Sequence, residues 1–529
     1  MYILQPIVRH CIAALALLTI AGCRNFNWAP TDALEKVSTT PPNTVEAPVF
    51  APAGGAYNAT QFVTLSTSTS GATICYRNDG TNADCDSSTG TCFAGSTTYA
   101  GAISVPATIT LNAMACKATM NNSALATAIY TIDSTAPVIS AISPASATYT
   151  TTTQISYTLS ESCGVGSITW TRTGGTADPG SPRVQALVGA ELTTGAHSAI
   201  TLTNNPALVS GAVYDISFNC TDAAGNAATT VTATGVTFDN VVPVISAVSP
   251  ANGSFMNTTQ VSYTLSEDCN TAAIDWTWTG GAGAGDHNYP LAVGERSAGP
   301  HTISPAVALT SGAIYTITFS CIDFAGQAAT AVTRTAVTFD NAAPIISGVA
   351  PTDSAFVSTT QVSYDLTEVC ATASITWTRT GGSADPSSPH VQALTAGEMT
   401  AITHTNITIT NNPTLVDGAV YQMDFDCTDA ASNVATTVTR TNITYDPTAV
   451  VISGVSPASS AFRSNTQVTY TLSENCASGN ITWTRTGGNP DPGSPRVQVL
   501  TGGELASGTK TGITLVNNPS LVDGAVYSV

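Results

Sequence analysis

From residue 134 onward, short runs of alternating apolar and polar residues follow one another along the chain. Ile155, Tyr157 and Leu159 alternate with Ser156, Thr158 and Ser160, which predicts a strand with one buried face. Ile168, Trp170 and Arg172 alternate with Thr169, Thr171 and Thr173, so Trp170 points inward. Tyr214, Ile216, Phe218 and Cys220 share one face of a later strand, and Val231 to Phe238 supplies the last. Between these two, Asp222-Ala223-Ala224-Gly225-Asn226 is a hairpin signal. The pattern recurs. The glutamines of Thr-Gln-(Val/Ile)-(Ser/Thr)-Tyr stand at Gln154, Gln260, Gln361 and Gln467, with separations of 106, 101 and 106 residues. A period near 100 is a repeat of whole domains. Boundaries after Asp133, Asp239, Asp340 and Asp446 give repeats over 134–239, 240–340, 341–446 and 447–529.

Residues 47–133 differ from the repeats but are also strand-like. Phe62-Val63-Thr64-Leu65, Ala72-Thr73-Ile74-Cys75-Tyr76 and Ile109 to Ala115 are strand runs, with turns at Gly54-Gly55 and Asn78-Asp79-Gly80. Upstream, residues 1–22 read as a targeting segment: Arg9 and His10 precede a ten-residue apolar run, Cys11 to Ile20. Ile20-Ala21-Gly22-Cys23 resembles the lipobox of bacterial lipoproteins. That resemblance implies cleavage before Cys23, lipidation of Cys23 and a membrane attachment through the N-terminal lipid. Arg24, rather than Asp, follows Cys23, which in Gram-negative lipoproteins favours the outer membrane. Residues 23–46, with Thr39-Thr40-Pro41-Pro42 and no apolar period, read as a lipidated Cys and flexible tether.

Cysteine and tryptophan recur together. Cys163/Trp170, Cys269/Trp276, Cys370/Trp377 and Cys476/Trp483 share one spacing, and Cys220, Cys321 and Cys427 follow in the first three repeats. This order resembles immunoglobulin-like sandwiches, in which a core Trp packs on a disulfide between two sheets. The resemblance implies an all-β chain of tandem β-sandwich (immunoglobulin-like) domains, like beads on a string. Trp170, Trp276, Trp377 and Trp483 would lie in the cores, with disulfides Cys163–Cys220, Cys269–Cys321 and Cys370–Cys427. Closing a loop of nearly 60 residues stabilises by about 4 kcal/mol in the chain-entropy model. Leu208 to Tyr214 resembles a tyrosine corner and recurs at Tyr315, Tyr421 and Tyr527. Asp222-Ala223-Ala224-Gly225-Asn226 also resembles a motif of bacterial immunoglobulin-like repeats. Cys476 has no second cysteine; its counterpart would fall six residues after Tyr527, past the last residue, so the chain reads as a fragment of a longer protein.

Pro52 to Tyr57, Gly71 to Tyr76, Asp79-Gly80-Thr81, Tyr99 to Ile103 and Ala124 to Tyr130 resemble the sandwich at the C-terminus of chitobiases and β-hexosaminidases. The resemblance implies an accessory domain and carries over no catalytic residue. It departs at Asn82, where an insertion carries Cys85 and Cys92. Three pairings are open among the four cysteines here. Cys75–Cys116 across neighbouring strands with Cys85–Cys92 inside the insertion is the expected one, and a metal site is the alternative use of these thiols.

Composition narrows the partners. Charged residues are 9% of 529, and the net charge of −19 makes nucleic acid an improbable partner. No stretch outside the leader is apolar enough to predict a membrane-spanning helix. Candidate chemistry is sparse. Glu191/His197, Glu295/His301, Glu398/His404 and Glu504/Lys510 recur at one separation. A Lys in place of His suits a cross-strand ion pair better than a catalytic dyad or metal pair. The Pro-rich stretch Ala177 to Arg183 recurs at Ala384 to His390 and Asp491 to Arg496, either as a ligand loop or as a rigid connection. Arg172, Arg379 and Arg485 follow their Trp by two residues, as cation–π packing would require, with Trp278 in that place in the second repeat. Asp133, Asp239, Asp340, Asp446, Asp222, Asp323 and Asp429 sit at junctions and turns, but no Asp-x-Asp-x-Asp run suggests calcium. The expectation is therefore no catalytic residue, no metal ligand and no cofactor. The chain reads as a non-enzymatic, lipid-anchored stalk at the bacterial cell surface, structural or adhesive, with an extracellular protein or glycan as possible ligand. The alternatives are a glycan-binding module array, or the non-catalytic N-terminal part of a larger secreted glycan-active enzyme.

Overall fold

The computed structural model describes residues 43–529, so the expected signal peptide 1–22, Cys23 and most of the tether lie outside the described residues. Among the described residues the structure is all-β, with four short 3-10 turns as its helical content. The described residues divide into two compact units, one up to Asn240 and one from Val241.

The first repeat shows the plan. Its strands are β1 (Ile139–Ser143), β2 (Tyr149–Thr150), β3 (Ile155–Leu159), β4 (Val165–Gly175), β5 (Arg183–Ala186), β6 (Gly195–Ile200), β7 (Ala212–Thr221) and β8 (Val231–Phe238). They form a three-stranded sheet, β1-β3-β6, facing a five-stranded sheet, β2-β8-β7-β4-β5. All pairings are antiparallel except β2 with β8. In β7 the buried residues alternate without a break, because Tyr214, Ile216, Phe218 and Cys220 all face the other sheet. Trp170 and Ile168 do the same on β4 and are fully buried. A bulge between Arg172 and Gly174 shifts the register of β4 against β7, and pairing resumes at Gly174 with Val213. Gly175 follows at φ +64, where a Cβ would collide with the Gly211 carbonyl oxygen.

In the second unit, repeats two and three repeat this strand order, and the fourth repeat forms two three-stranded sheets. The module ahead of the repeats has the same plan. Val49–Ala51, Gln61–Ser66 and Ile103–Val105 form its small sheet. Gly55–Tyr57, Ala126–Ile132, Ile109–Cys116, Thr73–Arg77 and Thr97–Thr98 form the large one. Its insertion is a two-stranded ribbon, Cys85–Asp86 with Thr91–Cys92. The tether expected up to residue 46 ends earlier, since Val45 is 2% exposed, belongs to this core and bonds to the Asn121 carbonyl.

Candidate functional site

In each of the first three repeats a disulfide joins the loop after the third strand to the seventh strand. The bonded pairs are Cys163–Cys220, Cys269–Cys321 and Cys370–Cys427, each with Cα atoms 5.7 Å apart. Trp170, Trp276, Trp377 and Trp483 are buried, each edge-on to the corner tyrosine. Cys476 is a free thiol.

The expected pairing in the first module is corrected. Cys75 bonds Cys92, and Cys85 bonds Cys116, with Cα separations of 5.5 and 5.9 Å. The register explains this. Cys75 lies opposite Met114 and Cys116 opposite Thr73, so Cys75 and Cys116 are diagonal neighbours, ordinarily about 7–8 Å apart and beyond comfortable disulfide reach. Cys85 and Cys92 face each other on the ribbon, and each bonds down to a strand of the large sheet instead.

The Pro-rich stretch is a rigid connection built on one buried carboxylate. Asp178, with a fully buried side chain, takes a two-point bond from Arg183 at 2.6 and 3.0 Å and a hydrogen bond from the Tyr214 hydroxyl at 2.9 Å. The Arg183 guanidinium holds the Asp178 carboxyl well below the usual carboxylate range. The Tyr214 oxygen accepts from the Val209 amide, which closes the tyrosine corner. Asp491, Arg496 and Tyr527 repeat the arrangement. In the third repeat His390 replaces the arginine, with its Nε2 2.6 Å from Asp385. That exchange travels with another: a Cβ on Gly180 or Gly493 would strike the arginine guanidinium, and the third repeat carries Ser387 there. An open groove of about 520 Å³ is bordered here by Asp385, Ser387, His390, Gln392 and Asn411.

Two expected pairings do not form. Arg172 does not stack on Trp170 but caps the turn beside the bulge, donating from Nε to the Thr176 carbonyl at 2.7 Å. Arg379 caps Ser383 and Arg485 caps Asn489 in the same way, and Trp278 donates Nε1 to the Ala282 carbonyl at 3.0 Å. An N–H at the correct height is what this position requires, which both side chains supply. The Glu/His pairs are likewise not ion pairs. Glu191 accepts from the Val188 and Thr203 amides, while His197 Nε2 lies 2.9 Å from the Thr193 carbonyl and its ring stacks on Tyr157. His301 and His404 reach the Ser297 and Thr400 carbonyls, and Lys510 reaches Ala506. A donor to one turn carbonyl is the shared role, so Lys serves as well as His.

The acidic residues at the junctions do converge, with a partner the sequence reading passed over. Ligand oxygens of Asp133, Glu161 and Asp222 lie within 4.8 Å of one another, and so do those of Asp340, Glu368 and Asp429. Asp133 and Asp340 end the preceding module, the glutamates follow the third strand, and Asp222 and Asp429 open the turn after the seventh. Asn226 Nδ2 bridges the Asp133 carbonyl and the Asp222 carboxylate, and Asn433 bridges Asp340 and Asp429 identically. Burial pushes the Glu161 carboxyl up, and the charges of Asp133 and Asp222 push it further. Glu368 is raised by burial and by Asp340 and Asp429. The missed signal was spacing: Glu161, Glu267, Glu368 and Glu474 each stand 28 residues after a junction aspartate.

Comparison with known families agrees with this domain order. Residues 52–127 match the family described as chitobiase/beta-hexosaminidase C-terminal domain, and residues 133–240 match the bacterial Ig-like domain. The chain carries these two domain types in that order. No curated protein matches it. Among solved structures, the crystal structure of chicken CNTN1 FN1–FN3 domains aligns with 58% of this chain and 98% of its own, at 10% identity and a TM-score of 0.21. The matched domain types are non-catalytic modules. An array of disulfide-bonded Ig-like domains fits a structural stalk and suggests an extracellular or surface protein. Among the described residues no helix is long and apolar enough to cross a membrane.

Proposed function

We propose that this chain is a lipid-anchored, non-enzymatic stalk of the bacterial cell surface, tethered to the outer membrane through Cys23 and carrying an adhesive or structural role. One observation carries the reading. The corner tyrosine, the buried aspartate, the turn-capping Arg or Trp and the glutamate that accepts turn amides bond within their own module, while Asn226 and Asn433 tie a module to the end of the one before it. Side chains used this way build load-bearing domains rather than a cleft.

Pulling single full-length molecules tests the stalk role. Each bonded loop, 57 residues in repeats one and three, is locked while oxidised, and reduction should add about 20 nm to the extension of each such repeat. Unchanged extension would contradict it. Metabolic labelling with palmitate tests the anchor: label and membrane retention should both vanish in Cys23→Ser. The first module's match to the chitobiase-type domain supports a second reading, a glycan-binding array. Retention of the full chain on immobilised glycans, lost when residues 47–133 are deleted, would favour it.

A further inference from the structure

We propose that the four cysteines of the first module form a thiol–disulfide exchange site whose substrate is a low-molecular-weight thiol. This goes beyond the stalk reading, which asks of these sulfurs only a structural bond. Two disulfides meet here. Cys75 Sγ and Cys85 Sγ belong to different bonds and lie 3.1 Å apart. The sulfurs of Cys75, Cys85 and Cys116 all lie within 4.8 Å of one another. They pack as a cluster of their own, apart from the module's main core. Cys75, Cys85 and Cys116 are at most 1% exposed, whereas Cys92 is partly exposed. A thiol arriving from solvent therefore enters at Cys92, where the Thr98 hydroxyl donates to Sγ at 3.3 Å. The repeats offer nothing similar. Each bonded repeat holds two cysteines, so its disulfide has no third sulfur to exchange with.

Exchange proceeds by attack of a thiolate on a bonded sulfur, through a mixed disulfide. The small thiolate attacks Cys92 Sγ, forms a mixed disulfide there and leaves the electron pair of the broken bond on Cys75 Sγ. That thiolate is buried, which disfavours its charge, and Cys85 Sγ is its neighbour. Its attack on Cys85 forms Cys75–Cys85 and expels Cys116 as a thiolate, which takes up a proton. Cys75 is then no longer free to reverse the first step, so the small thiol stays on Cys92. A second small thiol releases it as the symmetrical disulfide. In sum, two small thiols are oxidised to one disulfide, and Cys92 and Cys116 are reduced to thiols. The ribbon changes its tether as a result. Both of its strands are bonded to the large sheet beforehand, and afterwards only the Cys85 strand is.

Titration of the full oxidised chain with reduced glutathione, followed by acid quench, alkylation and peptide mapping, tests the proposal. The first reduced species should carry glutathione or the alkyl label on Cys92 and the label on Cys116, with Cys75 linked to Cys85. The disulfides of the three repeats should still be closed at that concentration. The double change Cys85→Ala with Cys116→Ala keeps Cys75–Cys92 but removes the sulfur that captures Cys75. Half-reduction of the remaining bond should then need several-fold more glutathione. Slow hydrogen exchange in the Ile109–Cys116 and Ala126–Ile132 strands would show that this variant still folds. Four results would overturn the proposal: label on Cys75 and Cys92 with Cys85–Cys116 intact, label on Cys85 and Cys116 with Cys75–Cys92 intact, a mixture of every one-bond pairing, or repeat disulfides that open first. An unchanged midpoint in the folded variant would do so as well.

Discussion

In the third repeat two loops meet over the core tryptophan. The loop from Ser383 to Pro389 carries Asp385, bonded to His390 and to the Tyr421 hydroxyl. The Asn411-Asn412-Pro413 loop offers its carbonyl to Gln392, whose Oε1 accepts from Trp377 Nε1 at 2.9 Å. In the second repeat the first loop is two residues shorter and the second three, which accounts for the repeat of 101 rather than 106 residues. Asp385 and Gln392 have no like-for-like counterparts there, although His287 takes the place of His390 opposite the core tryptophan. Tyr289 stands where the glutamine does and turns its hydroxyl to Glu295. Trp276 Nε1 is left buried without a hydrogen-bond partner among the described residues. The disulfide, the turn cap, the His donor and the buried Trp remain in both. The buried aspartate and the glutamine that the two loops carry are thus present or absent together. The sandwich persists without it, with one buried donor unsatisfied.

The comparison can be broken first at what the two repeats share. Removing Cys269–Cys321 or Cys370–Cys427 by paired Cys→Ala changes should cost each repeat about 4 kcal/mol, nearly equally, since the loops span 52 and 57 residues. Module-resolved hydrogen exchange would read it, and unequal losses would show that the remaining contacts differ more than the shared plan implies.

The next effect separates the repeats. Asp385→Ala strips the corner tyrosine and His390 of a buried partner and should cost the third repeat about 2–3 kcal/mol. Asp286→Ala in the second repeat removes one exposed bond to the Trp278 amide and should cost under about 1 kcal/mol. Acid should divide them too. Hydrogen bonds from Tyr421 and then His390 lower the Asp385 carboxyl to about 2, against the opposing effect of burial. A depressed carboxylate stabilises the fold above its unfolded value and loses that contribution as pH falls through its folded one. The third repeat should therefore weaken between about pH 4 and pH 2 through this group, which the second repeat lacks.

Gln392→Leu should give the third repeat the second repeat's unsatisfied indole, at a cost of about 1–2 kcal/mol in the same exchange measurement. The smallest effect is in the turn after the seventh strand. Ser432 adopts φ +70 where the first two repeats use Gly225 and Gly326, so Ser432→Gly should stabilise by up to about 1 kcal/mol.

Alternation was the legible part of this chain. Ile155–Tyr157–Leu159 and Tyr214–Ile216–Phe218–Cys220 announce buried faces because sheet geometry forces period two. Edge strands were not legible: Arg183–Ala186 has four residues, of which only Gln185 is buried, too little to show a period. Pairing register was hidden as well, so the disulfides of the first module could not be placed. Arg172 was misread because a bulge, not an alternation, decides where its side chain goes. Glu161 escaped notice because its partners lie far along the chain, at Asp133 and Asp222.

Peptide mapping of the unreduced full-length protein tests the central claim most directly. Self-contained oxidised sandwiches predict linked peptides Cys75/Cys92, Cys85/Cys116, Cys163/Cys220, Cys269/Cys321 and Cys370/Cys427. Thiols at the repeat cysteines, or a bridge joining two different repeats, would contradict it.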